Sequence, residues 1–208
     1  MRGKFITIEG VEGVGKSTNI AHLKHLLESN GIDYAITREP GGTPLAEKIR
    51  GLLLAVDDEP LSVLAELLLV FAARAQHLER FIKPQLDAGI WVLCDRFTDA
   101  TFAYQGAGRG LDAKTIATLQ ELVQNGLRPD LTIILDLDPV VGMQRATERG
   151  ALDRFELEQI EFFRRVRQCY LNIAAREPNR CAVIDASRSL AEVEKSLLST
   201  VRQRLDLK

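Results

Sequence analysis

The chain has 208 residues, 46% of them hydrophobic and 27% charged, with a formal net charge of −2 at neutral pH. That length suffices for one domain with a real core, and the balance is that of an ordinary globule. Near-neutral charge gives no global pull toward nucleic acid or an anionic membrane, so any anion site has to be built locally.

Phe5-Ile-Thr-Ile reads as a buried strand that enters almost at once, leaving no room for a leader peptide. It runs into Glu9-Gly-Val-Glu-Gly-Val-Gly-Lys-Ser-Thr, where Gly10, Gly15, Lys16 and Ser17 fill the G-x-x-x-x-G-K-[ST] phosphate-loop pattern without mismatch. A phosphate chain must approach backbone N–H groups closely, so glycine stands where a Cβ would obstruct it, and a helix N-terminus completes the cradle. Ile20, Leu23 and Leu27 mark the face of that helix, and Gly31 its stop.

Four more short apolar runs read as strands: Tyr34–Thr37, Trp91–Cys94, Leu131–Leu137 and Cys181–Asp185. Helical stretches lie between them, which predicts an α/β fold with a five-stranded parallel sheet covered by helices on both faces. Glu9, Arg38, Asp95 and Asp136 fall near the strands' carboxyl ends, where such sheets carry their chemistry. Pro40-Gly-Gly-Thr-Pro and Val56-Asp-Asp-Glu-Pro read as loops, with Ser62 capping the helix that follows. Leu61 to Ala73 is too short for a membrane span and contains Glu66, so it reads as a core or interface helix. Gly106-Ala-Gly-Arg-Gly is too glycine-rich for a stable element. Arg145 to Arg154 fits a mobile lid or a solvated helix end equally well. No linker divides the chain, so a single domain over 1–208 is expected, with the lid at about 145–155.

Cys94, Cys169 and Cys181 lack paired or metal-ligand spacing and fit reduced thiols of a cytoplasmic protein. His22, His25 and His77 lie in helical segments with no nucleophile or ligand set and are assigned no chemistry. A D-x-x-G switch and an N-K-x-D guanine-reading motif are both absent, against a regulatory GTPase. Many arginines cluster around loops instead, suited to a small kinase whose acceptor itself carries a phosphate. Another P-loop kinase with a different acceptor, or a nucleotide-timed binding module, are the competing readings.

Thr37-Arg38-Glu39-Pro40-Gly41-Gly42-Thr43, Phe71-Ala-Ala-Arg74, Cys94-Asp95-Arg96-Phe97 and Ala103-Tyr104-Gln105-Gly106 together resemble the thymidylate kinase family, in order and at suitable distances. The resemblance implies a P-loop kinase fold and transfer of the γ-phosphate of ATP to thymidine monophosphate, with Mg²⁺ as cofactor and a homodimer as the assembly. By motif position it puts ATP on Gly10, Val11, Glu12, Gly13, Val14, Gly15, Lys16, Ser17 and Thr18, with Arg145 from the lid. Ser17 and Asp95 would hold the metal. Arg38 and Arg96 would hold the acceptor phosphate, and Glu12 would contact the sugar 3′-hydroxyl. Phe71 would stack on thymine, while Arg74 and Gln105 would address its edge. Tyr104 would fill the space of a 2′-hydroxyl. Lys16, Asp95, Arg96 and a lid arginine, Arg149 or Arg154, would serve transfer. Two departures stand out. Gly13 occupies the loop position where some members carry arginine, and Ala100 stands where serine is common, leaving Thr101 as the nearby hydroxyl.

Overall fold

The computed structural model describes residues 2–56, 59–149 and 153–207, and for Arg149 the backbone alone. Five strands, β1 (Phe5–Glu9), β2 (Tyr34–Arg38), β3 (Trp91–Asp95), β4 (Leu131–Asp136) and β5 (Cys181–Asp185), form one parallel sheet in the order β2-β3-β1-β4-β5. Chain leaving β1 crosses to β2 beyond β3, whereas chain leaving β3 crosses to β4 beyond β1. Connections departing in opposite directions from neighbouring strands open a crevice at their carboxyl ends. The register sets Ile8 beside Asp95, so the phosphate loop and Asp95 emerge together at that crevice.

Side chains alternate between faces along a strand. Ile6, Ile8, Leu93 and Ile133 accordingly join one core, with Leu23 and Leu27 of α1 (Lys16–Ser29), Phe163 and Val166 of α8 (Ile160–Arg176), and Leu197 and Val201 of α9 (Leu190–Leu205). Phe5, Val92 and Cys94 point the other way, onto Leu78, Ile82 and Leu86. Those residues belong to one continuous helical run: α3 (Val63–His77), a π-helical turn at Leu78–Ile82, and α4 (Lys83–Asp87). Both faces of the sheet are thus covered. A smaller cluster of Leu67, Phe71 and Ile116 joins α3 to α6 (Ala113–Gln124).

The expected cap at Ser62 is present, and Thr43 supplies a second. Ser62 Oγ accepts from Ala65 N at 3.3 Å at the start of α3, and Thr43 Oγ1 accepts from Ala46 N at 3.3 Å at the start of α2 (Pro44–Leu54). One expectation is corrected: the glycine-rich stretch after Gln105 begins inside an element. A short α5 (Thr98–Thr101) continues as π-helical turns over Phe102–Gly108. Glycine is needed there for close packing, since a Cβ on Gly108 would lie 2.4 Å from the Phe162 ring of α8. The wide turns set Tyr104 and Gln105 side by side on the crevice wall. Among the described residues, no helix is long and apolar enough to cross a membrane. Asp57 and Asp58, in the expected loop before Ser62, lie outside the described residues, as do 150–152 of the expected lid.

Candidate active site

Residues 12–18 line a cavity of about 420 Å³ that runs from the phosphate loop toward α3. Gly10 and Val11 stand behind the lining: Val11 packs into the core, and its carbonyl accepts from Lys16 Nζ at 3.3 Å. Burial and the nearby Arg96 charge push the Lys16 ammonium below its ordinary range, while Asp95, Glu12 and Glu9 pull the other way. Gly13 is held at φ +71°, where a Cβ would lie 2.0 Å from the carbonyl oxygen of Gly142. Gly142 lies on α7 (Pro139–Arg149), so loop and helix meet backbone to backbone. The Asp95 side chain lines the cavity, and its Oδ1 is buried with no hydrogen-bond partner among the described residues.

Arg96, itself at φ +69°, organises the middle of the site. Its Nη1 donates to the Gly10 carbonyl at 2.9 Å and to Tyr170 Oη at 3.3 Å, and its Nη2 donates to Glu12 Oε1 at 2.7 Å. The guanidinium also lies 4.7 Å from the centroid of the Tyr104 ring, whose hydroxyl donates to Glu12 Oε2 at 2.6 Å. Beneath this layer Glu9 is fully buried and accepts from Phe97 N at 2.7 Å and Tyr170 Oη at 2.8 Å. Burial, reinforced by the Asp99 charge, pushes its carboxyl up to about 7. Glu9 therefore braces the chain turn at Arg96 from below.

Arg74 stands at the far end of the cavity, only 2% exposed. Its Nε donates to Glu39 Oε2 at 2.6 Å and its Nη2 to Thr101 Oγ1 at 3.0 Å, while Nη1 is buried without a partner among the described residues. His77 Nδ1 contacts Glu39 Oε1 at 3.0 Å, and its Nε2 contacts Thr37 Oγ1 at 2.7 Å. His77, given no role from sequence, thus holds the carboxylate that holds Arg74. Its three-residue spacing from Arg74 was the available signal. Gln105, Thr101 and Ala100 also line this end.

The cavity lining includes some of the expected residues and leaves others aside. Phe71 does not line the cavity: its ring is buried against Leu67 and Ile116, with the Arg74 guanidinium 4.9 Å from its centroid. Val70, four residues before Arg74, lines the cavity together with Val14, Leu53, Leu54 and Phe97. Arg38 sits half-exposed at the end of β2, paired with Glu47 at 2.9 Å and off the cavity lining. Arg50 of α2 lines the cavity, its Nη1 donating to the Pro40 carbonyl at 3.0 Å. Asp136, another strand-end acid, is engaged by Arg167 at 2.6 Å and also lies off the lining.

Arg145 of α7 lines the cavity, but Arg154 does not. Arg154 Nε donates to the Leu53 carbonyl at 2.8 Å, and Nη2 forms an ion pair with Glu66 at 2.7 Å. A buried carboxylate needs compensating charge, and Glu66 recruits Arg109 at 3.3 Å as well. Glu66 is therefore shielded within one chain, with no need of a second copy. The Arg149 side chain lies outside the described residues.

A phosphate loop at the carboxyl end of a central parallel strand, opening into a second recess lined by arginine, acid and amide, defines a P-loop nucleotide kinase. The thymidylate kinase family profile matches residues 8–197, and the chain belongs to that family. It is 58% identical over 197 residues to the thymidylate kinase of Pseudomonas putida (strain GB-1), covering 95% of this chain and 94% of that one. Identity to the thymidylate kinase of Chromohalobacter salexigens is 59% over 206 residues, covering 98% of this chain and 97% of the relative. The crystal structure of thymidylate kinase from Ehrlichia chaffeensis superposes with a TM-score of 0.77 at 36% identity, covering 97% of this chain and 99% of that one.

Proposed function

We infer that this protein transfers the γ-phosphoryl group of ATP to thymidine 5′-monophosphate, yielding ADP and thymidine diphosphate, a step toward thymidine triphosphate for DNA synthesis. The observation that carries this reading is one continuous cavity lined by the phosphate loop and by Arg74 and Gln105, with Arg74 Nη1 buried and without a partner among the described residues. A nucleoside monophosphate would lie in it with its base at Arg74 and its phosphate turned toward Lys16.

In transfer, an acceptor phosphate oxygen attacks the γ-phosphorus in line, and two anions must be held together while charge redistributes. Lys16 would meet the terminal phosphates of the donor. Arg96 would stand between donor and acceptor, already oriented by Gly10, Glu12 and Tyr170, so little reorganisation accompanies the reaction. Arg50 and Arg145 line the same space and would add positive charge on either side. Glu12, fixed by Arg96 and Tyr104, would meet the acceptor sugar's 3′-hydroxyl.

Among the described residues, no group of three or more His, Cys, Asp or Glu side chains forms a metal cage. Mg²⁺ shared with nucleotide phosphates needs only one or two protein oxygens, and the orphaned Asp95 Oδ1 with the Ser17 hydroxyl across the same cavity fits that demand. When bound, the ion supplies charge neutralisation on the phosphates.

ADP release assayed across a panel of nucleoside monophosphates tests the activity: thymidine monophosphate should be turned over far faster than purine nucleotides, and equal rates would refute the assignment. Tyr104 supplies a sharper check. With its ring against C2 of the acceptor sugar, an added 2′-hydroxyl is buried without a partner, costing about 1–3 kcal/mol, or roughly one to two decades in rate. Tyr104→Ala should narrow the deoxy-over-ribo preference. Tyr104→Phe should keep the preference while slowing both substrates, since the bond to Glu12 is lost. An alanine variant that discriminates like the unaltered protein contradicts the placement.

A homodimer through α3 also belongs to this reading. Leu64 and Leu68, four residues apart, are about half exposed on its outer face, and a second copy would cover them. Light scattering at micromolar concentration should return twice the chain mass; a monomer contradicts it. A cytoplasmic location completes the proposal.

A further inference from the structure

Gln105 faces the cavity with an amide whose two ends are chemically opposite, one donating and one accepting. Which end meets a ligand is decided behind it. Gln105 Nε2 donates to Glu66 Oε1 at 2.8 Å, and Glu66 is 1% exposed. An ionised carboxylate only accepts, so flipping the amide would set two acceptor oxygens against each other in a buried site. Glu66 is itself pinned by Arg109 on Oε1 and Arg154 on Oε2, from two separate segments of the chain. Gln105 Oε1 is thereby left to the cavity, and no hydrogen bond among the described residues uses it. Arg74 lines the same cavity, and its buried donor Nη1, of unambiguous polarity, has no hydrogen-bond partner among the described residues.

We propose that Glu66 is a positioning residue that sets the hydrogen-bond polarity of the base recess by forcing Gln105 to act as an acceptor. The recess then presents one acceptor and one donor. That pair complements a pyrimidine with an N3 hydrogen next to a carbonyl, as in thymine and uracil. Cytosine carries a bare N3 next to an amino group, so both contacts fail together. The inference rests on the proposed acceptor and deepens it: discrimination against the amino pyrimidine is written in a residue that does not line the cavity.

The test compares kcat/KM for thymidine and deoxycytidine monophosphates in the unaltered protein and in Glu66→Gln. A neutral amide at position 66 can donate or accept, which frees Gln105 to turn over. The preference for thymidine monophosphate should fall about tenfold or more, and part of the change should come from improved use of deoxycytidine monophosphate. In a Gln105→Ala background, Glu66→Gln should leave the ratio where Gln105→Ala put it. A Glu66→Gln variant that slows both substrates equally, ratio unchanged, overturns the proposal, because a merely structural role lowers both alike. Should the variant not fold, the unaltered protein still decides. N3-methylated thymidine monophosphate lacks the required hydrogen and should show a KM at least about tenfold higher, whereas an unchanged KM overturns the acceptor assignment. Failure of the unaltered protein to phosphorylate thymidine monophosphate at all would instead sink the function itself.

Discussion

Lys16→Ala is expected to lower phosphoryl transfer by about 10²–10³-fold with the fold intact, the scale on which removal of one oriented charge from a transfer site acts. The ammonium lies where burial already weakens its hold on the proton, and its hydrogen bond to the Val11 carbonyl is long at 3.3 Å. An arriving phosphate is thus a better partner than any the protein provides. Little stability is at stake, because Lys16 only opens α1 and packs nothing in the core. ADP release at saturating acceptor, with thermal unfolding as a control, checks this; near-normal turnover in a folded variant contradicts it.

Arg96→Ala should cost a similar factor, about 10²–10³, expressed mainly in kcat/KM for the acceptor. The guanidinium contacts Gly10, Glu12, Tyr170 and the Tyr104 ring together, so its loss leaves the Glu12 carboxylate uncompensated where an anionic phosphate must arrive. Arg96→Lys should recover only part of the rate, since an ammonium cannot reproduce the planar fork that bridges loop and acid. The left-handed backbone at this residue is equally strained with alanine, so backbone conformation cannot account for the loss. Steady-state kinetics varying each substrate separately would check it. Unchanged acceptor kinetics in Arg96→Ala would remove Arg96 from the mechanism.

Much of this was legible in the sequence, for a physical reason in each case. All five strands are short apolar runs between long helical stretches, a pattern few alternatives satisfy, and the phosphate loop depends on glycines at fixed spacing. Side-chain direction was harder. Both i+3 and i+4 neighbours share a helix face, so nothing local decides how the Phe71 ring packs; in the fold it lies against Leu67 and Ile116. Arg38 and Arg50 are alike in sequence, and Glu47, nine residues after Arg38, draws the former aside. Arg154 is taken by Glu66, 88 positions earlier in the numbering, a pairing only the folded chain makes. The π-helical turn defeated a composition argument because glycine there serves packing against α8 rather than chain freedom.

The contact between Gly13 and Gly142 bears on how such enzymes diverge. A Cβ at residue 13 would sit 2.0 Å from the Gly142 oxygen, and one at residue 142 would sit 2.4 Å from the Glu12 oxygen. Arg145 rides on the same helix, less than one turn further on. A loop side chain at position 13 would therefore displace the helix that carries Arg145. A substitution at Gly13 alone thus meets a steric barrier in this chain, and only a coordinated step that also shifts α7 and Arg145 would pass it.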